Sequence, residues 1–102
     1  MWVICVYDCP VTDAEARHDY TLFHKALLRE NFVQLQKSLY VHHFPTLAAG
    51  DAVIQRLRQH IPPGAQVAFF IVTDKPYGMT REFFGPSATK KKPDAPEQIE
   101  LF

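Results

Sequence analysis

Only two cysteines and four glycines occur in the 102 residues, and eleven lysines and arginines are matched by eleven aspartates and glutamates. That balance excludes a global field drawing the surface onto nucleic acid or membrane, so any anion-binding surface must be local. Cys5 and Cys9 lie within and just past one apolar run. Residues four apart in an extended chain are separated by about 13 Å, which excludes a disulfide between them. A structural zinc site is equally poorly supplied, because the adjacent His42 and His43 point to opposite faces of an extended segment. There is no glycine-rich ligand loop. The longest uncharged apolar run, 67–72, is far too short for a membrane span or secretory core, and no basic segment opens the sequence. A single soluble, cytoplasmic domain is expected, small enough that oligomerisation would help it.

What the sequence does contain is a carboxylate in an unusual place. Asp8 closes the otherwise apolar run Trp2-Val3-Ile4-Cys5-Val6-Tyr7, and Cys9-Pro10 then stop the strand. An ionised carboxylate desolvated without a partner costs several kcal/mol, so Asp8 must either reach water at the strand end or hold a cation.

Further along, Thr12-Asp13-Ala14-Glu15 has the form of a capping box with Thr12 as the cap, which predicts a helix from about Asp13, with Asn31 near its stop. Ala16, Tyr20, Phe23 and Leu27 form its apolar side. Arg17, Thr21, Lys25 and Arg29 recur every four residues on another side. Three cations in that row span about 18 Å, enough to follow two or three phosphates of one strand. Segments 32–36 and 38–44 read as short strands joined at Gln36-Lys37-Ser38. A second helix opens at Pro45-Thr46, with Asp51 as an alternative cap, carries Val53, Ile54, Leu57 and Ile61 at helical spacing, and ends before Pro62-Pro63-Gly64. A strand at 66–73, a turn at 74–78 and a final short strand at 79–84 complete the pattern.

The order strand, helix, strand, strand, helix, strand predicts an α+β, ferredoxin-like βαββαβ fold with sheet order four, one, three, two and both helices on one face, plus an extra C-terminal strand and tail. The expected boundaries are a domain over 1–85, a Lys- and Pro-rich linker over 86–96, and a docking tail strand over 97–102 whose Ile99, Leu101 and Phe102 supply apolar contacts. Strands one and four, taken as central, are apolar on both faces, and two helices can cover only one face. A homodimer packed sheet to sheet is therefore expected. Its two-fold axis could bring two Asp8 side chains together, a donor set suited to Mg²⁺ with Mn²⁺ as substitute.

The stretch Met1-Trp2 through Tyr7-Asp8-Cys9-Pro10, then Arg17 with Tyr20, Phe23-His24-Lys25, and Gln36-Lys37-Ser38-Leu39-Tyr40, resembles the small CRISPR adaptation protein family Cas2, particularly forms found beside type II effectors. That resemblance covers about residues 1–85. It implies a ferredoxin-like homodimer with Asp8 of each chain at a shared Mg²⁺ site, metal-dependent endonuclease activity on RNA or DNA, and a dimer that bridges two dimers of the integrase subunit Cas1 while holding double-stranded spacer-precursor DNA. By the same resemblance, Arg17 matches the family's recurrent arginine, and Ser38 and Tyr40 its strand-end motif. Tyr7 precedes the acid, and His24 replaces the family's usual arginine, which weakens the cationic character there at neutral pH.

Two functional classes follow. An adaptation subunit with a DNA-holding role, catalytic and metal-ligating only through Asp8 and contacting nucleic acid through Arg17, Lys25 and Arg29, is the primary reading. A free-standing, toxin-type endoribonuclease on the same fold is the alternative, and it would have little use for an adhesive tail. An RNA-recognition module is disfavoured because the strands show no exposed paired aromatics.

Overall fold

The computed structural model describes residues 1–9 and 11–86. Its elements are β1 (Trp2–Asp8), α1 (Ala14–Arg29), β2 (Val33–Gln36), β3 (Leu39–His43), α2 (Leu47–Arg58), β4 (Gln66–Val72) and α3 (Asp74–Gly78). The four strands form one antiparallel sheet in the order β2-β3-β1-β4, as the ferredoxin-like pattern predicts. The linker and tail expected at 86–96 and 97–102 lie almost wholly outside the described residues, as do Ile99, Leu101 and Phe102.

Strand β1 alternates as a strand with two different faces must. Val3, Cys5 and Tyr7 are buried under the helices, whereas Trp2, Ile4, Val6 and Asp8 point to the opposite face. Burial pushes the Cys5 thiol up to about 12, so it is a core group and not a nucleophile. The main core joins these residues to Phe23, Ala26 and Leu27 of α1, Val53 and Leu57 of α2, and Tyr40 of β3. Gly50 lets α2 approach closely: a methyl group there would stand 3.1 Å from the buried Val3 side chain.

Local chemistry fixes the helix ends. Asp13, not Thr12, is the cap of α1: its backbone is extended and its carboxylate accepts from the Ala16 amide at 2.8 Å. The Asp13 carboxylate thus does the work assigned to the Thr12 hydroxyl, and the helix begins where expected. At the other end Asn31 adopts φ 66°, its amide donates to Leu28 at 3.0 Å, and the Phe32 amide donates back to Leu27 at 3.1 Å. This is a Schellman closure with asparagine in the left-handed position, and Phe32 and Leu27 meet in the core beneath it. Thr46 caps α2 by accepting from Ala49 at 3.1 Å, so Asp51 is not the cap.

Three expectations are corrected. Strand β4 is an edge, not a centre, because β1 and β3 hold the middle. The segment 74–78 is the short helix α3 rather than a turn. Residues 79–84 form no strand: an extended segment needs a sheet edge to pair with, and this one finds none among the described residues, leaving Phe83 86% exposed.

The helix-free face is not uniformly open either. Helix α3 folds over one end of it, and Tyr77, 5% exposed, packs with Val41 against Trp2, Ile4 and Val72. Towards the Asp8 end the face opens, with Val6 exposed, and Phe70, opposite Ile4 on the edge strand β4, is exposed as well.

Candidate nucleic-acid and metal site

Strand pairing brings three parts of the chain to the carboxyl end of β1. The Tyr7 amide donates to the Ser38 carbonyl at 3.1 Å, which fixes the β2–β3 hairpin beside the strand end. Helix α1 starts on the same side after five intervening residues. A cleft of about 500 Å³ results, lined by Asp8, Arg17, Tyr20, Thr21, Lys37 and Ser38 among others. Asp8, Arg17 and Ser38 therefore line one cleft.

The Asp8 carboxylate is exposed and has no ion-pair partner among the described residues. Asp74, at the opposite end of the sheet, is held by the terminal ammonium of Met1 at 2.8 Å and by His43 at 3.1 Å, and both contacts lower its pKa. It cannot share an ion with Asp8. No group of three or more His, Cys, Asp or Glu side chains close enough to hold a metal occurs among the described residues. The cleft thus offers a divalent cation one carboxylate, the low end of the one or two that Mg²⁺ takes from protein beside water and phosphate.

Tyr7 and Tyr40 stand behind this site rather than in it. Both are buried, their hydroxyls lie 3.3 Å apart, and Tyr40 is hydrogen-bonded in turn to His24 Nδ1. Burial first, and then the contact with Tyr40, drives the Tyr7 hydroxyl above the usual tyrosine range; burial raises Tyr40 as well. Both remain neutral and serve as a packed, hydrogen-bonded brace between β1, β3 and α1. Cys9 is largely buried at the cleft wall, and burial followed by the nearby Asp19 and Asp8 raises its pKa, which favours the thiol over the thiolate.

Lys25 and Arg29 lie further along α1 and do not line the cleft. Sequence reasoning missed Lys37, whose carbonyl accepts from the Tyr20 hydroxyl at 3.3 Å and the Gln34 side-chain amide at 3.2 Å. Lys37 falls in Gln36-Lys37-Ser38, a chain reversal and part of the family motif, and nothing in that stretch singles out the lysine as a cleft cation.

Comparison with known proteins gives one consistent result. The family model described as CRISPR associated protein Cas2 matches residues 1–80. A protein of Parvibaculum lavamentivorans named CRISPR-associated endoribonuclease Cas2 is 31% identical over 104 residues, covering all of both chains. Two others with that name, from Treponema denticola and Paracidovorax avenae, are each 33% identical, over 88% and 100% of this chain and 89% and 94% of their own. In structure, the chain is similar to Streptococcus pyogenes Cas2 at pH 6.5, with a TM-score of 0.63 over 83% of this chain and all of that one, at 24% identity, a likeness of fold.

Proposed function

We propose that this chain, which belongs to the CRISPR associated protein Cas2 family, acts in the cytoplasm as a homodimeric subunit of spacer acquisition. In that role it bridges dimers of the CRISPR integrase subunit Cas1 and holds double-stranded spacer-precursor DNA. It also carries a weak Mg²⁺-dependent endonuclease activity centred on Asp8.

The observation that carries this reading is the position of Asp8. It is exposed and unpaired, at the end of a central strand, on the uncovered part of the helix-free sheet face. A lone carboxylate on one chain is a poor resident site for a divalent ion. Two of them related by a two-fold axis through that face, completed by water, would suit Mg²⁺, which takes oxygen ligands and retains much of its hydration. When bound, such an ion supplies charge neutralisation at a phosphodiester. The exposed apolar Val6 and Phe70 on the same face support a second copy as the neighbour. The tether and tail at 86–102, read from sequence, would dock on a neighbouring chain's sheet edge.

A second reading, a free-standing endoribonuclease, is favoured by the name endoribonuclease that these relatives carry. Two measurements separate the readings. Asp8→Asn should abolish any Mg²⁺- or Mn²⁺-dependent cleavage while leaving the fold unchanged, and undiminished cleavage by that variant would remove Asp8 from the site. Co-purification with the integrase subunit should succeed equally for wild type and Asp8→Asn. Failure of both to associate, with RNA cleavage retained by wild type, would favour the free-standing enzyme.

A further inference from the structure

We infer that the cleft between α1 and the β2–β3 hairpin is a grip for one phosphodiester of a single nucleic-acid strand, with Arg17 and Lys37 holding the phosphate from its two sides. The inference rests on the nucleic-acid reading above and narrows it from a surface to a site.

The geometry supports a built site in three ways. First, the two cations come from different elements, Arg17 from the first turns of α1 and Lys37 from the hairpin turn, yet both line one cleft. Second, the hairpin side is fixed. The Lys37 carbonyl accepts two side-chain hydrogen bonds, one from Tyr20 on α1 and one from Gln34 on β2, and the neighbouring Ser38 carbonyl is tied to the Tyr7 amide. Such pinning holds a reversal that lacks the glycine or asparagine favoured in tight turns. It also keeps the Lys37 stem at a set distance from α1. Third, Ser38 stands on the same wall with a hydroxyl that can donate to a phosphate oxygen, whereas the Thr21 hydroxyl donates to the Arg17 carbonyl at 3.0 Å.

Size selects the ligand. About 500 Å³ is the scale of a small-molecule site, with room for one or two nucleotide units of a strand but not for a duplex. Val11, exposed on the cleft wall, and the half-buried ring of Tyr20 give apolar surface for a sugar or base. Asp8 shapes the electrostatics. Its carboxylate shares the cleft with the phosphate, so in the absence of a cation it opposes binding, and with its charge removed the grip should tighten.

The test uses a 5′-phosphorylated dithymidylate titrated into the full chain in EDTA at low salt, followed by NMR. Backbone amide shifts should concentrate at Thr21, Lys37 and Ser38. Lys37→Met and Arg17→Gln should each weaken binding by about three- to tenfold and lower the log-log salt slope by about 0.7, the single-strand value per phosphate contact. Lys37→Arg should restore the affinity, and Lys75→Gln, on α3 at the other end of the sheet, should match wild type. Asp8→Asn should bind more tightly. An unchanged affinity for Lys37→Met would overturn the inference, as would a Lys25→Gln effect as large as that of Lys37→Met. Inorganic phosphate binding as tightly as the dinucleotide would also overturn it, leaving a simple anion site. Because neither metal nor integrase is present, failure here leaves the bridging and cleavage reading standing, and failure of that reading leaves this result intact.

Discussion

Trp2 lies flat against Tyr77, with ring centroids 3.8 Å apart and planes 10° from parallel. The stack joins the first residue of β1 to α3 and closes one end of the helix-free sheet face. The Tyr77 hydroxyl is buried there without a hydrogen-bond partner among the described residues, and burial pushes its pKa up to about 12.

A buried hydroxyl without a partner contributes nothing to offset its desolvation, whereas the ring beneath it fills space. Tyr77→Phe should therefore leave stability unchanged or raise it by up to ~1 kcal/mol. Tyr77→Ala should lower it by about 3 kcal/mol. Urea denaturation measures both, and the single tryptophan reports the loss of the stack directly through a red-shifted emission in the alanine variant.

Glu30 and Arg56 bind α1 to α2 through two hydrogen bonds of 3.0 Å each. This pairing, more than any other contact, lowers the Glu30 pKa from its ordinary 4.5. A depressed carboxyl contributes stability above its unfolded pKa and loses it as pH falls through the folded value. Arg56→Ala should consequently reduce stability at pH 7 and flatten the part of the stability curve below about pH 4.5 that this pair supplies, as read by denaturation at several pH values. An identical pH dependence in variant and wild type would contradict the assignment.

The exposed Phe70 lies opposite Ile4 across β1 and β4, on the helix-free face at the β4 edge. If a second copy covers that face, Phe70→Asp should raise the dimer dissociation constant by at least about tenfold, since a carboxylate would be desolvated in an apolar contact. Light scattering over a concentration series measures this. A monomeric wild type at micromolar concentration would refute the dimer itself.

Much of this architecture was legible in the chain because its signals were local and redundant. The periodicities of β1, α1 and α2 agree with the caps and breakers that flank them, and Asn31 announced its left-handed turn by residue type alone. The cap of α1 was misassigned because Thr12 and Asp13 are adjacent and equally capable, and only the carboxylate's reach to Ala16 decides between them. The strand at 79–84 failed for a different reason. Thr80, Phe83 and Phe84 carry strand propensity, but propensity becomes a strand only where an unpaired edge lies beside it. Helix α3 was hidden by Pro76 and Gly78, which read as turn residues, and its role as a cover depends on Trp2, remote in sequence. At the site, Asp8 stood out by itself. Lys37 did not, because a lysine in a turn carries no signal until tertiary structure sets it across from Arg17.

The placement of β1 has a consequence for how the molecule is made. The first strand synthesised sits in the middle of the sheet, and Trp2 pairs with Val72, seventy residues later. At about 5–20 residues per second, roughly 4–14 s separate the synthesis of those two partners. Throughout that interval the strand Trp2–Asp8 exists without its outer neighbour. Such non-local closure slows the final step and prolongs exposure of an apolar segment. Nascent chains should thus be most prone to aggregation before β4 is complete, and a circular permutant that places β4 directly before β1 would shorten this vulnerable period.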